Sequence, residues 1–227
     1  MNDLEKSLTS NTLEIFERVS SLECIKGLYL CGGTAQALMM QHRKSEDLDF
    51  ELIGIRKERP ALEAGKIINE ISETFPGARR EILGDDHFEM YVDGNVKLSF
   101  FRPRYPVPSL NIGFTHNNIV TPDLQELLGM KVFTTTVRSK FRDYYDIYSL
   151  LKEGLSLEKA VLYACKFSRF MVKSKTLYTN LLTPSLYSYE ENFSLLSPKY
   201  DVKAVDIRDY ISETIVKEKN SSVKMKR

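Results

Sequence analysis

A chain of 227 residues, 42% hydrophobic and 28% charged, can bury a sizeable core and has an ordinary globular composition. No run approaches the ~20 apolar residues that span a bilayer, and the polar start Met1-Asn2-Asp3-Leu4-Glu5-Lys6 carries no signal-peptide pattern. The three scattered cysteines (Cys24, Cys31, Cys165) offer neither a disulfide framework nor zinc-ligand spacing, so a reducing cytoplasm is the expected compartment.

The net charge of +1 decides nothing about nucleic acid, but its distribution is uneven. From Leu155 onward there are 13 Lys and Arg against 8 Asp and Glu, whereas the preceding part holds 19 against 23. An acidic first part and a basic second part suit a carboxylate site beside a polyanion-contacting surface, and equally a solvated lysine-rich helical face.

In chain order, residues 12–20 place Leu13, Phe16 and Val19 at helical spacing behind a Ser10 or Asn11 cap. Leu28–Cys31 reads as a buried strand ending at Gly32-Gly33, and Thr34–Gln41 as a helix. Residues 47–53 alternate Leu48, Phe50, Leu52 against Asp47, Asp49, Glu51, the period of a strand. A basic loop (56–60) and a helix over 61–74 follow. Two strands, His87–Val92 and Val96–Phe101, flank Asp93-Gly94-Asn95 as a hairpin. A short strand at Asn118–Val120 precedes Thr121-Pro122, where a helix is predicted to start. Helices are expected over 139–152, 157–172, 175–182 and 205–219, with 221–227 a loose basic tail. The predicted architecture is a mixed α/β domain over residues 1–120 followed by a helical bundle over 121–227.

Two local features carry chemistry. Glycines between a strand and a helix let backbone N–H groups approach a phosphate at the positive end of the helix. Asp47 and Asp49, at i and i+2, project from one strand face and repel each other unless a cation lies between them. Either feature alone also fits a plain turn or a solvated strand. Their thirteen-residue separation (34–46) allows one helix and a return, bringing a phosphate cradle beside two carboxylates.

The runs Leu30-Cys31-Gly32-Gly33-Thr34 and Ser45-Glu46-Asp47-Leu48-Asp49-Phe50 resemble the signature of the DNA polymerase β-type nucleotidyltransferases, and more narrowly of the AbiEii toxin-like branch. Leu127-Leu128-Gly129-Met130-Lys131 resembles that branch's lysine-bearing helix, and Lys140-Phe141-Arg142-Asp143-Tyr144-Tyr145-Asp146-Ile147 its later Arg-Asp motif. The resemblance covers about half the chain. It implies Mg2+ on Asp47 and Asp49, and a nucleoside triphosphate held by Gly32, Gly33, Thr34, Arg43, Ser45, Lys131, Lys140 and Arg142. It also implies Lys131 and Asp143 as catalytic partners of the Asp pair. The acceptor it suggests is RNA such as transfer RNA, within a bacterial toxin–antitoxin or abortive-infection system with a cognate antitoxin.

One departure stands out. Where the wider superfamily carries a third carboxylate, this chain has Ser99, a poor magnesium ligand. Pairing Val92 with Val96 puts Glu89 opposite Ser99, which makes Glu89 a candidate substitute ligand. On the 157–172 helix, Lys159, Lys166, Arg169 and Lys173 interleave with Tyr163, Phe167 and Phe170, a pattern that fits either RNA contact or a bundle helix with an aromatic core. Two other readings stay open: a nucleotide-binding protein without transferase activity, and a small-molecule transferase of the aminoglycoside-modifying kind.

Overall fold

The computed structural model describes residues 3–52, 62–84, 86–103, 111–183 and 190–224. The basic loop at 56–60 and the last three residues of the tail lie outside these. The chain divides into two compact units, Met1–Asp123 and Leu124–Arg227.

The first unit is a mixed α/β domain. Its described strands are β1 (Tyr29–Cys31), β2 (Leu48–Glu51), β3 (Arg79–Gly84), β4 (His87–Val92), β5 (Val96–Phe101), β6 (Ile112–His116) and β7 (Ile119–Pro122). A five-stranded sheet runs β1-β2-β5-β4-β3, and β6 and β7 form a separate hairpin. Within the larger sheet β2 pairs β5 in parallel, while the other pairs are antiparallel. Alternation decides the faces: Leu48, Phe50, Leu98, Phe100, Phe88 and Met90 are buried, and the Phe50 and Phe88 rings stack on Phe100 at 5.4 and 5.0 Å. Their alternate neighbours Asp49, Ser99 and Glu89 share the opposite face.

Helices α1 (Asp3–Ser7), α2 (Ser10–Ser20), α3 (Gly32–Met40) and α4 (Ala64–Thr74) complete this unit. The α2 stripe buries Ile15, Phe16 and Val19, and α4 buries Ile67 and Ile71 one turn apart. The N-cap of α2 is Thr9 rather than Ser10 or Asn11. Thr12, one turn on, is buried and donates to the Glu46 carbonyl at 2.6 Å.

The second unit is helical, with α5 (Leu124–Thr134), α6 (Phe141–Lys152), α7 (Leu157–Phe167), α8 (Ser174–Leu181) and α9 (Ala204–Lys224). Helix α6 is its centre, with Tyr144, Tyr145, Ile147 and Leu150 fully buried. Gly129 lets α5 approach α7: a Cβ there would come within 2.5 Å of the Tyr163 ring. Glu218 of α9 accepts from the backbone N–H groups of Leu157 and Glu158 at 2.9 and 2.8 Å, completing the α7 cap begun by Ser156.

Several expectations are corrected. Thr121 and Pro122 end β7 rather than starting a helix, because the Thr121 hydroxyl is spent accepting from the Phe114 N–H. Helix α7 stops at Phe167, five residues early, at the consecutive left-handed residues Arg169 and Phe170. Its aromatic stripe faces inward: Phe167 meets Phe133 edge-on at 4.8 Å, and Phe170 alone of the three predicted rings is exposed. Helix α9 continues to Lys224, so the beginning of the predicted tail is ordered helix.

Candidate active site

In the first unit the Gly-Gly turn and the Asp pair meet. Gly32 has a left-handed φ of 68° and lies against Asp49: a Cβ on it would sit 2.8 Å from the Asp49 Oδ2. Glycine there meets both a backbone and a space requirement. Cys31, the N-cap of α3, makes no side-chain hydrogen bond to the first-turn N–H groups. Gly33 gives room to another group, because its Cβ would run into the Arg43 guanidinium. Arg43 is itself buried and donates to the Lys44 carbonyl at 2.9 Å.

Thr34 and Ser45 work as a tether. The Thr34 hydroxyl lies 2.8 Å from the Ser45 hydroxyl and is bonded to the Asp47 carbonyl. The Ser45 backbone is in turn fixed by Ser7 and Thr9. These bonds hold the start of α3 to the start of β2.

Across the sheet, the register Cys31–Asp49–Ser99–Glu89 forms one row. The predicted pairs Val92–Val96 and Glu89–Ser99 are both present. Lys97, two residues before Ser99 and on the same face, brings its ammonium 3.5 Å from the Asp47 Oδ2 and 3.6 Å from the Glu89 Oε1. Glu89 also accepts from the Tyr91 hydroxyl at 2.8 Å and lies 3.6 Å from the His87 Nε2.

Burial raises the Asp47 carboxyl above its usual value, with Lys97 opposing and Asp49 reinforcing the shift. Burial alone would lower Lys97, but Asp47, Asp49 and Glu89 together outweigh it and keep the ammonium charged beyond its usual range. Glu51, two residues beyond Asp49, is pushed up to about 7 by burial. The Ser99 hydroxyl is fully buried and has no hydrogen-bond partner among the described residues.

Among the described residues no three His, Cys, Asp or Glu side chains gather as a metal-holding group. Two carboxylates beside an uncapped helix end nevertheless suit a hard cation that takes its remaining oxygens from phosphate and water. Lys97 and Glu51 were not singled out from the sequence. The signal was present in the period of two, which sets Lys97 on the Ser99 face and Glu51 on the Asp49 face.

In the second unit Lys131, Asp143 and Asp146 are all buried. The Lys131 Nζ lies 2.8 Å from both the Asp143 Oδ1 and the Asp146 Oδ2. Arg138 adds two bonds to Asp143 at 2.8 and 3.0 Å. Burial alone would raise Asp143, but Lys131 and Arg138 outweigh it and hold the carboxyl below its usual range. Lys140 is the N-cap of α6. Arg142 is turned to Glu190, which accepts from its backbone N–H at 3.0 Å and its Nε at 2.7 Å. Two surface recesses of this unit, along α9 and between α8 and α9, contain none of these residues.

Comparison with known proteins bears on the family and the fold. The family model "Nucleotidyl transferase AbiEii toxin, Type IV TA system" matches residues 17–203. An uncharacterised Aquifex aeolicus protein, aq_aa25, is 28% identical over 157 residues, covering 68% of this chain and 72% of that protein. The crystal structure of JHP933 from Helicobacter pylori has a TM-score of 0.58 at 17% identity, covering 97% of this chain and 98% of that one. MenT4, a nucleotidyltransferase toxin from Mycobacterium tuberculosis, has a TM-score of 0.52 at 11% identity over 90% of this chain and 82% of its own. With the family model spanning most of the sequence, the chain belongs to the AbiEii nucleotidyltransferase toxin family.

Proposed function

We propose that this protein transfers a nucleoside monophosphate from a nucleoside triphosphate to an RNA acceptor such as transfer RNA, as the cytoplasmic toxin of a toxin–antitoxin pair. The observation that carries the reading is the closeness of the Asp49 carboxylate to Gly32 at the uncapped start of α3. A phosphate on those N–H groups would lie beside the two carboxylates.

The α3 N-terminus and Arg43 would bind and orient the triphosphate, with Gly32 and Gly33 admitting it closely. Asp47 and Asp49 would hold Mg2+, which when bound supplies positive charge for the phosphate oxygens. An acceptor hydroxyl oxygen would then bond to the α-phosphorus. The bond from that phosphorus to the bridging oxygen breaks, pyrophosphate departs, and the hydroxyl proton passes to solvent. Positioning and electrostatics carry such a step without a covalent enzyme intermediate. Lys131 and Asp143 are assigned to the same chemistry by family resemblance.

The test is incubation of the protein with Mg2+, each nucleoside triphosphate labelled at the α-phosphate, and total cellular RNA, beside an Asp47→Ala/Asp49→Ala variant. Label is expected on an RNA band and should fall by on the order of 10³-fold in the variant. A second reading, nucleotide binding without transfer, is favoured by the neutral Ser99 at the centre of the row. Mg2+-dependent triphosphate binding with no label on any acceptor would support it.

A further inference from the structure

The face bearing Asp47 and Asp49 also bears a cation of the protein's own. Lys97 stands 3.5 Å from Asp47 and 3.6 Å from Glu89, so one ammonium links the residue just before β2 to β5 and β4. It stands on β5, and its side chain is only partly exposed. Glu89 is fixed in turn by the Tyr91 hydroxyl, with His87 beside it stacked on Phe101. The position between Asp49 and Glu89 in the row is Ser99, a buried hydroxyl with no formal charge.

We propose that the Lys97 ammonium takes the place of a second divalent ion, so that this site binds a single metal ion with its triphosphate. This rests on the reading of Asp47 and Asp49 as metal ligands. The contacts favour it: the ammonium already occupies Asp47 and Glu89, two of the carboxylates a second dication would need. A second dication would have to displace Lys97 from two carboxylates at once. The ammonium also repels any ion approaching Asp47 from the β5 side, where Ser99 offers no compensating charge.

The experiment counts ions directly. Mn2+ binding to the full chain is measured by the loss of the free-ion electron paramagnetic resonance signal with a non-hydrolysable nucleoside triphosphate present, after subtracting the loss caused by the nucleotide alone. Wild type, Lys97→Met, Lys97→Arg and Asp47→Ala/Asp49→Ala are compared after checking that each unfolds cooperatively. Wild type and Lys97→Arg are expected to bind one ion. Lys97→Met should gain a second ion or bind the first about tenfold more tightly. The Asp double variant should bind none.

Two ions in the wild type would overturn the proposal while leaving the Asp pair as a metal site. One ion in wild type with no change in Lys97→Met would also overturn it. No ion in wild type would remove the metal-site reading, and the proposal with it. Lys97→Gln, measured in the same way, takes the place of Lys97→Met should that variant fold poorly, and one unchanged ion in Lys97→Gln would equally overturn the proposal.

Discussion

The two charged clusters differ in how far they neutralise themselves. In the first unit Asp47 and Glu89 share the Lys97 ammonium, and Cys31 makes no side-chain cap at the neighbouring helix start. In the second, Asp143 and Asp146 face Lys131 and Arg138 in equal number, with both carboxylates fully buried. Burial dominates at Asp47 and raises its carboxyl, whereas at Asp143 the cations win and lower it. A site with surplus negative charge and solvent access is built to receive something. A balanced interior network chiefly holds its own helices in register, and any catalytic part played by Lys131 must be compatible with that duty.

The sharpest way to break this contrast is Lys131→Ala. It would leave Asp143 and Asp146 buried with one fewer cation, and a loss of about 3–5 kcal/mol is expected in urea unfolding. The pH dependence has a definite sign. Asp143 is depressed in the folded state, so its stabilisation is complete above the ordinary carboxylate range. It disappears as pH falls through the lowered native value. Melting temperature followed from pH 7 down to about pH 2 should therefore drop more steeply in wild type than in Asp143→Asn. If Lys131→Ala abolished labelling yet left stability intact, the network would have to be read as catalytic rather than self-supporting.

A smaller effect is expected from Gly33→Ala. Its added methyl meets the buried Arg43 guanidinium, and moving that group should cost about 1–3 kcal/mol and weaken triphosphate binding in calorimetry. Unchanged affinity would separate Arg43 from the phosphate cradle. The smallest effect is predicted for Arg142→Ala. Because Glu190 already occupies that guanidinium, the expected loss is on the order of 1 kcal/mol, with little change in nucleotide affinity. A tenfold or larger loss of affinity in that variant, beyond the lost pairing, would show that Arg142 exchanges Glu190 for phosphate.

Legibility in the sequence followed the strength of the local code. The Asp93-Gly94-Asn95 turn set the β4–β5 register because Gly94 and Asn95 adopt the positive φ that the turn requires, and Glu89 fell opposite Ser99 as a consequence. Period two likewise exposed the Asp pair. Strands β3 and β6 escaped notice: Arg79-Arg80-Glu81 is a charged run, and among the described residues Ile112–His116 pairs only with its neighbour β7. The early end of α7 was equally hidden, since Ser168-Arg169-Phe170 carries neither glycine nor proline to announce the left-handed pair. Lys97 was missed for a different reason. A lysine on a strand is ordinarily a solvent-facing residue, and its meaning depends on a carboxylate fifty residues away in the chain.

That distance has a consequence for how the protein is made. Strand β2 lies in the sheet between an antiparallel neighbour, β1, and the parallel β5, with Leu48 paired to Leu98. A parallel contact of this kind cannot close by a tight turn and waits until α4, β3 and β4 have been synthesised. A nascent chain truncated before Val96 has both aspartates but neither the strand that flanks them nor Lys97. For an enzyme whose family acts as toxins, assembly of the centre is thereby deferred until most of the first unit has left the ribosome.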